Sequence, residues 1–151
     1  MPRGIHRTSR VVLGLVTVIG LAVDAYVHFD LANQFDVVGG GLTQGLLFRV
    51  EAVAAVVTAL IVLVLGRHRW ACAPAFVVAV SALGAILLYR YVDIGQLGPL
   101  PDMYDPAWYP EKALAAVAEA IATITSLLLV ALPRVPASGA RSSADTPLVG
   151  H

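Results

Sequence analysis

The chain has 151 residues, of which 58% are hydrophobic and only 13% charged, whereas a soluble domain of this size is about 45–50% apolar and about 25% charged. Half the usual charge cannot cover a water-exposed surface, so the chain is built for lipid, and its single cysteine, Cys72, excludes a disulfide framework. Ten Lys/Arg balance ten Asp/Glu, which leaves no basic field to recruit nucleic acid.

Four apolar stretches follow one another, from about Val11 to Phe29, Leu42 to Leu65, Ala71 to Val92 and Pro110 to Leu132. Each has the roughly 20 residues that a helix needs to cross a hydrocarbon core about 30 Å thick. Val and Ile are frequent, yet the runs are too long for strands and lack the in/out alternation of a membrane barrel. The expected fold is all-α: a polytopic membrane protein with four transmembrane helices in an up-down bundle, occupying residues 1–133. Residues 134–151, RVPASGARSSADTPLVGH, read as a disordered cytoplasmic tail.

The first span follows Arg3, Arg7 and Arg10, as a signal peptide would. Its apolar run continues into Asp24, Tyr26, His28 and Phe29 without a small-x-small cleavage site, so an uncleaved span is expected. Arg67, His68 and Arg69 fill the second connection, and Arg134 and Arg141 lie in the tail. The first connection carries Asp30 and Asp36 with no base, and the third carries Asp93, Asp102, Asp105 and Glu111 against Lys112 alone. The positive-inside rule then puts both termini and the short Gly66–Trp70 turn in the cytoplasm, and the protein in the cytoplasmic membrane. Trp70 marks the inner interface; Tyr104, Trp108 and Tyr109 mark the outer one.

The connections differ in character. Gly39-Gly40-Gly41 is a flexible entry to the second span. Residues 95–110, GQLGPLPDMYDPAWYP, hold four prolines and three interfacial aromatics. They read as a cap over the outer mouth of the bundle, or, as the blander and favoured alternative, as a belt-anchored loop without a ligand. Pro110 followed by Glu111 fits a helix start, with proline in the first turn and an acid at the positive dipole end.

The informative residues are those that a bilayer rejects. Glu51 lies nine residues after Leu42 and Glu119 nine after Pro110, which puts both about 13 Å below the outer face at 1.5 Å per residue. Asp24 and His28 occupy the outer third of the first span. Unpaired and ionised, the three acids would together cost roughly 8–10 kcal/mol on insertion scales. At about 100° per residue, Thr17, Gly20, Asp24 and His28 share one stripe of the first helix. Gln44, Glu51, Ala55 and Thr58 share one on the second, and Lys112, Ala115, Glu119, Ala122, Thr123 and Ser126 one on the fourth. Small and hydroxylated neighbours mark helix–helix interfaces rather than lipid-facing surfaces. Asp24, His28, Glu51 and Glu119 are therefore expected to converge inside the outer half of the bundle.

Arg90, in the run Tyr89-Arg90-Tyr91, is the expected counter-charge, reaching Glu119 or Glu51 with a bidentate guanidinium. Arg49, two residues from Glu51, points to nearly the opposite side of its helix and is expected to snorkel to the headgroups. Asp93 is expected to cap the third helix or to meet Arg90 three residues away. The ligand-binding set is Asp24, His28, Glu51, Arg90 and Glu119, with Tyr89, Tyr91 and Trp108 as apolar walls.

Nucleophile–base constellations are absent, so no catalytic residue is assigned. The Glu-x-x-His motif of carboxylate-bridged di-iron bundles is also absent. Asp24-x-x-x-His28 with Glu51 or Glu119 is the nearest approach to a metal set, but an Asp24–His28 bond holding one tautomer is the commoner expectation. No metal and no cofactor are assigned. Three readings stay open: a ligand site, a purely structural ion-paired bundle, and an accessory subunit of a quinone-linked redox or transport complex. Ala52/Ala55/Ala59, Ser81/Ala85 and Ala118/Ala122 give close-packing faces for the bundle and for a homo-oligomer or larger membrane complex.

One lysine against nine arginines, the Ala/Val/Leu/Gly richness and the phrases AYVHFDLA (25–32), LLFRVEA (46–52), YRYVD (89–93) and WYPEK (108–112) resemble small four-span membrane proteins of high-GC actinobacteria. That resemblance implies a fold and no activity. The layout is also similar to DoxX-like four-helix proteins, some of which work as subunits with quinone-linked oxidoreductases; this likeness is of topology alone and carries no site residue across.

Overall fold

The computed structural model describes residues 2–37 and 41–132, with side chains from Thr8 onward. It contains four helices: α1 Pro2–Ala32, α2 Gln44–Leu65, α3 Arg69–Tyr91 and α4 Pro110–Ala131. All four are long and apolar enough to cross a membrane. The chain is thus an all-α, multi-pass membrane protein. Gly39, Gly40 and the 134–151 tail lie outside the described residues.

Helix ends follow local chemistry rather than hydropathy alone. α1 starts nine residues before the expected Val11, because hydropathy marks where lipid begins and not where backbone hydrogen bonding begins. α2 starts at Gln44 rather than Leu42: Thr43 has extended backbone angles (φ −90°, ψ 153°) and its hydroxyl accepts from Leu46 N at 3.1 Å, which satisfies one of the free donors of the first turn. Gly66 closes α2, its N–H bonding Val62 O at 2.8 Å. α3 takes in Arg69 and Trp70 ahead of the expected Ala71. α4 begins at Pro110 with Glu111 in its first turn, as expected.

α1 packs between α2 and α4, α3 packs on α4 and less extensively on α2, and α1 and α3 lie diagonally across the bundle. Because successive neighbours run antiparallel, the α1–α2 connection and the 93–109 segment share one end, called here the cap end. The tight α2–α3 connection lies at the other, the turn end. The interior is made of small residues: Ala52, Ala55, Ala75, Ala79 and Ala122 are fully buried. Val50, Val53, Leu60, Leu63, Val77, Val117 and Ile124 point outward. With lipid outside there is no hydrophobic gain from burying large side chains, and close van der Waals approach drives association instead. Gly20 shows how close: a Cβ there would lie 3.0 Å from Ala118 O and 3.2 Å from Ala122 Cβ. Gly45 packs more tightly still against Ala32 O and Asp36, and its N–H bonds Phe35 O at 3.0 Å. These two contacts fix α1 against α4 and the end of α1 against the start of α2.

Polar ties hold both ends. At the turn end the Arg10 guanidinium donates to Leu129 O at 3.0 Å and Gly66 O at 3.2 Å. At the cap end Lys112 Nζ donates to Asp105 O at 2.6 Å and lies 3.1 Å from Asp105 Oδ2. Asp105 N in turn bonds Tyr89 O at 3.1 Å, so the irregular 93–109 segment is fastened to the end of α3 and the start of α4.

Candidate functional site

Helix rise places the acids at one depth. Asp24 stands eight residues before the end of α1, Glu119 nine after the start of α4 and Glu51 seven after the start of α2. At 1.5 Å per residue, all three lie about 10–14 Å from the cap-end helix termini. The antiparallel order α2–α1–α4 then turns this common depth into proximity around α1.

Donor atoms of Asp24, His28 and Glu119 lie within 4.8 Å of one another, and all three residues are buried, Asp24 and Glu119 completely. His28 Nδ1 sits 2.8 Å from Asp24 Oδ1 and 3.0 Å from the Asp24 backbone carbonyl. The ring nitrogen thus pairs with Asp24 Oδ1, while Asp24 Oδ2 and both carboxylate oxygens of Glu119 have no hydrogen-bond partner. Glu51, half-buried, leaves Oε1 unpartnered and stands close enough for its charge to act on Asp24, His28 and Glu119. Buried polar groups without partners cost about 1–3 kcal/mol each and more when charged. A bundle that brings donor atoms of these three buried side chains within 4.8 Å of one another is shaped for something that neutralises them.

The surroundings are apolar on both sides. Towards the cap end, Val27, Leu31 and Ala115 pack with Phe35, Phe48, Ile86 and Tyr109. Phe48 meets the His28 ring edge-on at 5.2 Å between centroids and meets Phe35 at the same distance, which fixes the imidazole. Towards the turn end the site rests on Leu21, Ala25, Ala52, Ala55 and Ala122. Two turns further along α1, Thr17 Oγ1 lies 2.7 Å from Thr125 Oγ1. Desolvation by burial, followed by the charges of Asp105 and Glu111, pushes the Tyr109 phenol up to about 12.

Other expected residues are placed elsewhere. Arg90 forms no ion pair among the described residues, correcting the expectation that it clamps Glu119 or Glu51. Its guanidinium carbon lies 5.0 Å from the Tyr91 ring centroid and 5.7 Å from that of Trp108, a cation–π arrangement. Its Nε is buried and unpartnered. The reason is depth: Arg90 stands one residue from the cap-end terminus of α3, whereas Glu119 and Glu51 lie nine and seven residues into α4 and α2, about 9–12 Å deeper at 1.5 Å per residue. Tyr91 and Trp108 are largely exposed beside Arg90, and the Tyr89 carbonyl holds Asp105. No hydrogen bond or ion pair joins these aromatics to the Asp24–His28–Glu119 cluster among the described residues. Asp93 does not meet Arg90 either; its Oδ1 accepts from Gly95 N at 3.2 Å, closing a turn where Gly95 has φ +62°.

Arg49 points away from the cluster, as its spacing from Glu51 requires. It does not simply reach for headgroups: it grips Asp36 with two bonds of 2.6 and 2.7 Å and Asn33 Oδ1 at 2.8 Å. The hydrogen bonds from Arg49 hold the Asp36 carboxyl below the usual carboxylate range. The sequence reading missed Phe48 and Phe35 as the lid over His28. Phe48 shares the Gln44–Glu51 face of α2, four residues after Gln44, and that spacing was the available signal.

Compared with protein-family models, curated proteins and solved structures, the chain matches none.

Proposed function

We propose that this chain is a cytoplasmic-membrane protein whose four-helix bundle binds one small ligand at Asp24, His28 and Glu119, with Glu51 at the edge of the site. The observation that carries the reading is the convergence of donor atoms of Asp24, His28 and Glu119 within 4.8 Å of one another, with Asp24 Oδ2 and both oxygens of the fully buried Glu119 left without a hydrogen-bond partner. A purely structural ion-paired bundle would instead give Glu119 a basic partner, and among the described residues the Asp24–His28 pair is the one ion pair in the cluster. Intramembrane ionisable groups mark binding sites and ion paths by default. Both termini and the turn end face the cytoplasm in this reading, since Arg10, Arg67 and Arg69 lie at that end and Asp30, Asp36, Asp93, Asp102 and Asp105 at the other. The ligand site then lies in the outer half of the membrane.

A second reading, association with another membrane chain, is favoured by α3. Ser81, Gly84 and Ala85 are exposed on one face, and nothing lies within 4 Å of a Cβ placed at Gly84. Small residues facing outward at this spacing suit helix–helix contact in lipid.

Native mass spectrometry of protein gently extracted from its own membrane tests the first reading. A stoichiometric added mass that disappears in Glu119→Gln supports it; a bare chain carrying only bulk lipid in both forms removes it. Orientation is tested with Gln96→Cys in a Cys72→Ala background, for which an impermeant maleimide should label intact cells.

A further inference from the structure

We infer that the ligand is a single divalent first-row transition-metal ion, bound by Asp24, His28 and Glu119. This deepens the ligand-site reading above and rests on it.

Three features lead to a metal ion rather than an organic molecule. The first is size. Zinc-type metal–oxygen and metal–nitrogen bonds are about 2.0–2.2 Å long in a tetrahedral arrangement, so donors around one such ion are about 3.3–3.6 Å apart. Donor atoms of the three residues lie within 4.8 Å of one another, so a small rotation of each side chain closes them on one ion. Phe48 packs against the His28 ring and apolar side chains lie on either side of the cluster.

The second feature is charge. Two carboxylates, a neutral imidazole and a divalent ion sum to zero, the one total that a low-dielectric interior tolerates without further partners. A monovalent cation would leave one negative charge uncompensated. Glu51 stands at the edge of the site and is not one of the three converging donors.

The third is donor chemistry. Oxygen and imidazole nitrogen together suit Zn²⁺, Mn²⁺ or Fe²⁺; Ca²⁺ and Mg²⁺ take six or more oxygens, and Cu⁺ wants thiolate or thioether sulfur. The single cysteine, Cys72, is at the turn end, its Sγ 3.7 Å from Gly66 O and from His68 O. The unpartnered Asp24 Oδ2 and the two unpartnered oxygens of the fully buried Glu119 are the independent sign that these residues are donors awaiting an acceptor and not a hydrogen-bonded core.

The test uses the full chain in detergent or nanodiscs, stripped with a chelator and then titrated with Zn²⁺ alone against a chromophoric competitor. The expected result is one zinc per chain in the wild type. Glu119→Gln, Asp24→Asn and His28→Gln should each weaken binding by at least about tenfold, whereas Ser81→Ala leaves it unchanged. Cobalt substitution gives a second readout, since its visible d–d bands should change in His28→Gln. The three variants keep side-chain size, and circular dichroism confirms that each is folded. Zinc metal content of the wild type as isolated needs no variant at all.

Zinc held equally by His28→Gln would be adventitious, on other histidines, and would overturn the inference. Failure of folded wild-type chain to bind zinc, manganese or iron would overturn it too. If native mass spectrometry then still showed an organic adduct lost in Glu119→Gln, the ligand-site reading would stand while the metal fell. With no adduct and no metal, both fall.

Discussion

The hydroxyls of Thr17 and Thr125 lie 2.7 Å apart between α1 and α4. Each is also within reach of a carbonyl one turn back, Leu13 O at 2.9 Å and Ile121 O at 2.8 Å. Two hydroxyls have two protons for three bonds, so one donates across the interface while the other keeps its own carbonyl. This pair ends the polar column below Asp24, and Ser126 and Thr58 bond carbonyls of their own helices, Ala122 O and Ala54 O. Because either threonine can fall back on its own backbone, Thr17→Val should cost only about 0.5–1 kcal/mol, in line with interhelical hydrogen bonds measured in membranes. Unfolding in mixed micelles measures the loss. Ligand binding should be unaffected, which separates core from site.

Gly20 is the opposite case, small in chemistry and large in effect. Replacing it with alanine puts a Cβ 3.0 Å from Ala118 O and 3.2 Å from Ala122 Cβ, both rigid parts of α4. α1 and α4 must then separate by several tenths of an ångström, at a cost of about 1–3 kcal/mol for overpacking. The same separation pulls Asp24 from Glu119, one turn further along both helices. Gly20→Ala should therefore lower both the melting temperature and the site's affinity for its ligand, and Gly14→Ala, where nothing lies within 4 Å, should change neither.

The depth and facing of the acids were legible in the sequence because both depend only on helical rise and on the 100° period. Thr17, Asp24, Glu119 and Ser126 are all fully buried on the stripes that arithmetic draws. What the period does not carry is how far a long side chain reaches along the bundle. Arg90 stands one residue from the end of α3 while Glu119 is nine residues into α4, and its guanidinium turns to Tyr91 and Trp108 instead. Irregular segments escape the period altogether: Asp36 meets Arg49 across thirteen residues because the connection folds back over α2, and Lys112 meets Asp105 because the 93–109 segment doubles under itself. Helix starts at Pro2 and Gln44 depend on capping and hydrogen bonding, to which hydropathy is blind.

The Arg49–Asp36 clamp gives a pH signature. Asp36 has its carboxyl lowered in the folded state, first by hydrogen bonds from Arg49. A depressed carboxyl contributes stability that is present above its unfolded value, near 3.9, and is lost as pH falls through the lower folded value. The difference in melting temperature between wild type and Asp36→Asn should be flat from pH 5 to 8 (about one unit above the unfolded value and beyond) and should shrink below about pH 4. Both partners are exposed, so the difference should be small and should fall with added salt. A difference that grows on acidification would mean that the pair does not form.

Lys112 tests whether the 93–109 segment is held as a unit. It is the one buried lysine, donating to Asp105 O at 2.6 Å, 3.1 Å from Asp105 Oδ2, and lying 5.6 Å from the Tyr109 ring centroid. Lys112→Met keeps the aliphatic stem and removes the charge, so the helix start remains packed while Asp105 loses its partner. A charge-assisted hydrogen bond of this kind is worth about 1.5–3 kcal/mol. The loss should fall on the segment and not on the bundle, because α3 and α4 keep their own interface. Amide hydrogen exchange should therefore accelerate by about tenfold or more at residues 102–109, the tenfold factor corresponding to about 1.4 kcal/mol, with α4 beyond its first turn unchanged. Equal protection in wild type and variant would show that Asp105 N on Tyr89 O holds the segment by itself.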